Sequence, residues 1–344
     1  MVRVLSAGTA RSGTSIGIDF ADDGLQAGVG AILARVEDLL RETVVSADPL
    51  VTAAARHLVD AGGKRFRPLL VALAAQFGDA ENPEVVMAAA VVELTHLATL
   101  YHDDVMDEAP VRRGAPSANS RWGNSVAILT GDYLFARAAD LAAQLGVEAV
   151  RIQATTFSRL VHGQIAETSG PRPGEPHIDH YLRVVEQKTG SLIATSARYG
   201  AMFAGAPAAY VAALAGYGDA IGIAFQLSDD LLDIASDSAQ SGKTPGTDLR
   251  EGVPTLPVLY ALASDDADPG SARLREILAA GAVTDDELLA EALGLLRESD
   301  SVKRARETVR SYAEQARGCL AGLPDCPARE ALESLCDVIS DRTG

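Results

Sequence analysis

From Leu25 almost to the C-terminus, apolar residues recur three and four positions apart, broken only by short polar stretches. That is the period with which an α-helix buries one face. No convincing stretch alternates apolar and polar residues as a half-buried strand would. Aromatic residues make up only 5 % of the chain while Ala and Leu are abundant, which also favours helix over sheet. The 344 residues therefore predict a single all-α domain over 25–344, of roughly ten or more helices. Residues 1–24, rich in Gly, Ser, Thr and Ala without a clear period, are expected to form a disordered tail.

The breaks carry their own signals. Asn82-Pro83-Glu84 offers a capping side chain, a proline for the first turn and an acid near the positive helix end. The helix it opens is expected to reach about Glu108, and its first half is apolar all round, as in a fully buried helix. Residues 169–176, 236–246 and 264–270 read as loops by composition. Helical segments are expected near 285–297, 300–320 and 327–341. Lys188-Thr189-Gly190 interrupts an otherwise regular helix.

The formal net charge is −17, which excludes a general nucleic-acid binder. A protein this acidic that took an anionic substrate would need local cation clusters or bound metal. Cys319, Cys326 and Cys336 match no zinc spacing and read as free thiols of a reducing compartment. The N-terminus lacks an apolar stretch of signal-peptide length, and no run approaches the length of a membrane span. A cytoplasmic protein is expected.

Against that background stand two copies of Asp-Asp-x-x-Asp: Asp103-Asp104-Val105-Met106-Asp107 and Asp229-Asp230-Leu231-Leu232-Asp233. Aspartate is a poor helix-interior residue, yet both copies sit in strongly apolar helical runs. Helical spacing puts His96, Thr99, Asp103 and Asp107 on one stripe, with Asp104 beside it. Gln226, Asp229, Asp230 and Asp233 form a second. Clustered carboxylates in a buried cleft cannot all stay ionised without cations. Hard oxygen donors select magnesium, which keeps waters and bridges to substrate phosphates. The chain supplies its own control: Asp22-Asp23, Asp265-Asp266 and Asp285-Asp286 fall in the tail, a loop and a helix start, where solvation explains them.

Cations suited to phosphate oxygens lie close by in sequence. Gly62-Gly63-Lys64-Arg65-Phe66-Arg67-Pro68 packs three into four residues, Arg112-Arg113-Gly114 follows the first aspartate copy, and Lys243 follows the second.

These ordered motifs, with Gly163-Gln164, Lys188-Thr189 and Asp248-Leu249-Arg250-Glu251-Gly252, resemble those of the trans-isoprenyl diphosphate synthases, the polyprenyl synthetase family, over about residues 30–340. The resemblance implies an antiparallel helix bundle around a central cavity, usually a homodimer. It implies that Lys64, Arg67, His96 and Arg113 bind isopentenyl diphosphate, and that Arg112, Lys188, Thr189, Gln226 and Lys243 bind an allylic diphosphate. Asp103, Asp107 and Asp229 would hold magnesium, three ions with substrate bound, while Asp104, Asp230 and Asp233 support that site. Val253 stands where many relatives carry a lysine. A terpene cyclase would carry a different second metal motif, and a non-catalytic synthase subunit would tend to lose the aspartates that this chain keeps.

Small residues, Ala98 and Thr99, stand one turn before Asp103, where short-chain relatives often place an aromatic floor. At 1.5 Å of rise per residue, Ala98 lies about 7–8 Å below Asp103. An open tunnel running on towards Leu94 and Val91 is expected, with a long all-trans product suited to a quinone side chain. The alternative is a farnesyl- or geranylgeranyl-length product.

Overall fold

The computed structural model describes residues 20–235, 245–266 and 268–342. Most of the expected tail, 1–19, lies outside them, as does most of the expected loop at 236–246. The first helix begins earlier than expected: α1 spans Asp23–Thr43. Asp22, assigned to the tail from sequence, is its N-cap, the carboxylate accepting the Leu25 N–H at 2.6 Å.

Next come α2 (Pro49–Asp60), α3 (Phe66–Ala75) and α4 (Pro83–Met106). A two-stranded hairpin follows, β1 (Val111–Arg112) antiparallel to β2 (Ala115–Pro116). No local pattern foretold it, because strands of two residues carry no alternation. Then come α5 (Ala118–Trp122), α6 (Asn124–Leu145), α7 (Val147–Ser169) and α8 (His177–Val185). A π-helical turn at Glu186–Gly190 leads into α9 (Ser191–Phe203), followed by α10 (Ala208–Ala235). The C-terminal part holds α11 (Thr247–Glu251), α12 (Leu256–Leu262), α13 (Pro269–Ala279), α14 (Asp286–Glu298), α15 (Asp300–Cys319) and α16 (Pro327–Asp341). The three C-terminal helices match their expected bounds within about two residues, the usual uncertainty of helix ends.

The expected buried helix is α4. Almost every residue from Val85 to Ala98 is inaccessible, and the helix packs against α1, α3, α6 and α9. Asn82 caps it, accepting the Glu84 N–H at 3.0 Å. α9 also packs against α10, so it links the two helices that carry the aspartates. Three wholly buried tyrosines bind carbonyls of neighbouring segments: Tyr101 to Ala54 (2.5 Å), Tyr199 to Ala149 (2.6 Å) and Tyr217 to Leu332 (2.9 Å). Each buries a large apolar ring without stranding its hydroxyl.

One expectation needs correction. α4 and α10 are both long and apolar enough to cross a membrane by length and composition. In α4, 72 % of the most apolar window is buried within the bundle, as in a core helix; in α10 the share is 39 %. The three cysteines are free, as expected.

α3 and α9 cross closely at Gly200. A β-carbon there would collide with the Val71 carbonyl oxygen and come within 2.9 Å of the Ala74 β-carbon. Neither neighbour has a flexible end that could swing away. Gly200→Ala should therefore destabilise the protein by about 2–3 kcal/mol through overpacking. Denaturant unfolding measures this; a loss below about 0.5 kcal/mol would show that the crossing simply spreads.

Candidate active site

A cavity of about 890 Å³ opens between the segment leading into α3, α4, the hairpin, α6, α7, the π-helical turn and α10. Its lining divides by element. Charged and polar groups come from residues 63–67, α4, the hairpin, the π turn and α10, while α6 and α7 contribute mainly apolar ones, including Phe135, Phe157, Leu160 and Val161.

In the first aspartate copy, Asp103 faces the cavity. Burial, with the like charge of Asp107, raises its pKa to about 6, against the opposing pull of Lys188. Asp104 does not line the cavity. It is fully buried and accepts a hydrogen bond from Arg112 Nε at 2.5 Å, and the Asn119 side chain donates to its backbone carbonyl at 3.0 Å. Asp104 thus anchors the hairpin and α5 to the end of α4. Asp107 is the C-cap of α4, one turn from Asp103.

The second copy divides its work similarly. Asp229 faces the cavity and is paired with Arg342 Nη2 at 2.9 Å, with Lys64 Nζ at 4.0 Å. Asp230 is buried, accepting from the Tyr181 hydroxyl and from Gln226 Nε2 at 2.9 Å. Burial raises its pKa to about 6 even though both hydrogen bonds favour the charged form. Thr189 Oγ1 donates to Gln226 Oε1 at 3.1 Å, extending the relay from the π turn to α8. Asp233 accepts the Thr247 and Asp248 N–H groups at 3.2 and 3.1 Å, capping α11. Asp230 and Asp233 therefore support the chain around the site and do not line the cavity.

The interruption expected at Lys188 is a π-helical turn. The π turn puts Lys188 and Thr189 on the cavity wall, a use typical of such bulges. It needs Gly163 on α7: a β-carbon there would sit 2.7 Å from the Lys188 backbone nitrogen. Lys188 Nζ meets Glu167 Oε2 at 2.5 Å.

The remaining cations gather around Glu93, which is 1 % exposed. Arg65 Nη1 donates to it at 2.8 Å, and Arg65 also binds Glu37 and the Val59 carbonyl. Arg67 is pushed down to about 10 by burial, with Glu93 opposing, and its Nε is buried without a partner among the described residues. Arg113 donates to the Leu58 and Gly62 carbonyls. His96 is held well below the usual histidine range by burial and by Arg67, Arg113, Arg65 and Arg112, so its imidazole is neutral. Arg65 and Arg113 both adopt left-handed backbone, with φ of 46° and 53°, a strain that clusters at functional sites.

Lys64, Arg67, His96, Thr99, Asp103, Arg112, Arg113, Lys188, Thr189, Gln226 and Asp229 thus line one cavity, whereas Asp107, expected beside them as a metal ligand, is exposed and does not line it. Lys243 lies outside the described residues. Val253 is on the surface, 37 % exposed, and does not line the cavity. Ala98 corrects the tunnel expectation: it is wholly buried, absent from the cavity wall, and its backbone lies against Gly131 of α6. Thr99 alone of that pair faces the space. Phe135 and Phe157 meet on the opposite wall with ring centroids 4.2 Å apart, and Phe135 lies 5.7 Å from His102. His102 lines the cavity too, with its Nε2 3.1 Å from the Ile128 carbonyl oxygen. Sequence reasoning missed Glu93 and Tyr181. A glutamate inside an apolar helical run was a signal for Glu93; Tyr181 carried none.

The aspartates fit a hard divalent cation. Among the described residues no three carboxylate, imidazole or thiolate groups converge into a cage. Magnesium needs none, since one or two carboxylates serve when water and substrate phosphates complete the shell. Burial raises the Asp103 pKa, so its ionised form would gain from a bound cation. Without metal, the folded state holds the Asp103 proton up to about pH 6, while the unfolded chain has released it above about pH 4. Stability should therefore fall as pH rises between these values. Asp103→Asn in chelator should be about 1–2 kcal/mol more stable than the parent at pH 8, after allowance for solvent screening, with the gap closing below pH 4. Unfolding at a series of pH values checks this; a pH-independent gap would refute it.

The polyprenyl synthetase family model matches residues 48–296. The chain is 53 % identical over 329 residues to nonaprenyl diphosphate synthase of Mycobacterium tuberculosis, covering 95 % of this chain and 97 % of that one. It is 45 % identical over 321 residues to dimethylallyltranstransferase of the same organism, covering 93 % and 97 %. Geranylgeranyl pyrophosphate synthase from Corynebacterium glutamicum, solved with calcium and isoprenyl diphosphate, superposes with a TM-score of 0.85 at 47 % identity, over 95 % of this chain and all of that one. Decaprenyl diphosphate synthase from Rhodobacter capsulatus gives 0.83 at 37 % identity, over 94 % and 99 %. With the fold, the two aspartate helices and the cation wall all in place, this chain belongs to the polyprenyl synthetase family of prenyltransferases.

Proposed function

We propose that this prenyltransferase condenses isopentenyl diphosphate head-to-tail onto an allylic diphosphate and releases a long all-trans polyprenyl diphosphate. The observation that carries this reading is the division of one cavity into a charged wall and the apolar wall of α6 and α7. The charged wall suits two diphosphates, and the apolar wall suits a growing hydrocarbon tail. The long-chain names of the Mycobacterium and Rhodobacter relatives support it.

Lys64, Arg67, Arg113 and neutral His96 receive isopentenyl diphosphate; Arg112, Lys188 and Lys243 receive the allylic diphosphate. Asp103, Asp107 and Asp229 would hold magnesium, three ions in the substrate complex, which supplies charge neutralisation to the diphosphate leaving group. The Thr189 hydroxyl donates to Gln226, leaving its lone pairs for the allylic cation that forms as the carbon–oxygen bond breaks. The apolar wall keeps water from that cation. The double bond of isopentenyl diphosphate attacks it, and the proton then lost goes to the departing diphosphate. Leu129 of α6 and Val150 of α7 remain exposed and suit a homodimer interface. The enzyme would work in the cytoplasm, without nucleic acid.

A short-chain product is the second reading, favoured by the Phe135–Phe157 pair on the apolar wall. Labelled isopentenyl diphosphate, each allylic primer and magnesium, followed by chromatography of the dephosphorylated products, decides between them. The wild type should pass well beyond geranylgeranyl length, and Thr99→Phe should shorten the product without stopping condensation. A wild type that halts at farnesyl or geranylgeranyl length replaces the first reading with the second. Arg67→Ala should raise KM for isopentenyl diphosphate at least tenfold, about 1.4 kcal/mol of binding, with a much smaller effect on the primer. Equal effects would mean that the two diphosphate sites are exchanged.

A further inference from the structure

Asp229, an expected metal ligand on the cavity wall, is already engaged. Its Oδ1 pairs with Arg342 Nη2 at 2.9 Å and lies 4.0 Å from Lys64 Nζ. The Arg342 guanidinium sits over the Phe225 ring, 5.4 Å from its centroid, and Lys64 Nζ lies 5.5 Å from the same centroid. Arg342 follows directly on α16, whose Leu335, Cys336 and Ile339 are fully buried. The chain that delivers it is thus already ordered by core packing, and little further entropy is lost in forming the pair. Arg342 Nη1 is buried and has no partner among the described residues. The guanidinium is therefore only half satisfied where it stands.

A carboxylate oxygen held by a guanidinium presents fewer lone pairs to an incoming cation. A positive charge at 2.9 Å also repels a divalent ion. We propose that Arg342 is a C-terminal latch: it serves as the resident counter-cation of Asp229 in the free enzyme and yields that carboxylate to the metal as the substrate complex forms. Asp103 has no guanidinium of this kind bonded to it, so of the two cavity-facing aspartates only Asp229 is latched among the described residues. The latch keeps the second aspartate helix electrically quiet until metal and diphosphate arrive together.

The proposal rests on Asp229 being a metal ligand, and the test separates the two ideas. Magnesium is titrated calorimetrically into the full-length protein in the presence of inorganic pyrophosphate. Arg342→Ala should bind magnesium about three- to tenfold more tightly than the parent, the scale of a partly exposed ion pair. Arg342→Lys, which keeps the charge but loses the fork, should fall between. Asp229→Asn should bind more weakly, and adding Arg342→Ala to it should change nothing further. Unchanged or weaker binding by Arg342→Ala, with Asp229→Asn still impaired, overturns the latch alone. Parental affinity in Asp229→Asn overturns both the latch and the assignment of Asp229 to metal.

Discussion

Glu93 is the fixed negative charge around which the cation wall is arranged. It lies in the buried stretch of α4, where a carboxylate needs a hydrogen-bonded partner. Arg65 supplies one through its 2.8 Å hydrogen bond, and the field of Glu93 partly offsets the cost of burying Arg67 and Arg113. Arg65 in turn binds Glu37 on α1 and the carbonyl of Val59 on α2. Four segments, α1, α2, α4 and the approach to α3, therefore meet at one ionic knot. Buried ion networks of this kind add little net stability, because desolvation consumes the Coulomb attraction. What the knot supplies is position. Guanidiniums that would repel one another are held close together before any substrate arrives, which is how a preorganised anion receptor is made. An overall charge of −17 makes such a local reversal of sign necessary.

The helical period made the all-α fold legible, and the Asn82-Pro83-Glu84 signal located the start of α4 at Pro83. The aspartate copies stood out because charged residues in apolar helices are rare, Lys64 and Arg67 as cations beside glycines, His96 by its place on the Asp103 stripe and Lys188 as a break in a regular helix. What period alone cannot supply is the neighbour. Ala98 and Thr99 are adjacent in sequence and so point about 100° apart on an α-helix. Only one of them could face the cavity, and the choice depended on where α6 passes, which no local pattern encodes. The hairpin escaped for a different reason, being too short to show a period, and the π turn showed only as the interruption at Lys188-Thr189-Gly190. They arise because Asp104 holds Arg112 and because Gly163 lets the backbone at Lys188 come close. Tyr181 became readable only once α8 was seen to lie beside Asp230.

The two Asp-Asp-x-x-Asp copies show how one motif serves two requirements at once. Residues one apart on a helix diverge, so a helix bordering a cavity turns the first aspartate towards it and the second inward. In both copies the first, Asp103 or Asp229, lines the cavity, and the second, Asp104 or Asp230, is buried. The buried aspartate must find donors, and it finds them on the next structural element: Arg112 of the hairpin in one case, Tyr181 of α8 in the other. The third aspartate, one turn on, falls at or near the end of the helix. Asp107 caps α4 itself, and Asp233 reaches across to cap α11. Losing the middle aspartate would thus release the flanking element, Arg112 of the hairpin or Tyr181 of α8, while losing the first would remove a carboxylate from the cavity and leave the wall standing. Three identical side chains acquire three tasks from helix geometry alone, because the cavity, the core and the helix end lie in different directions from one turn.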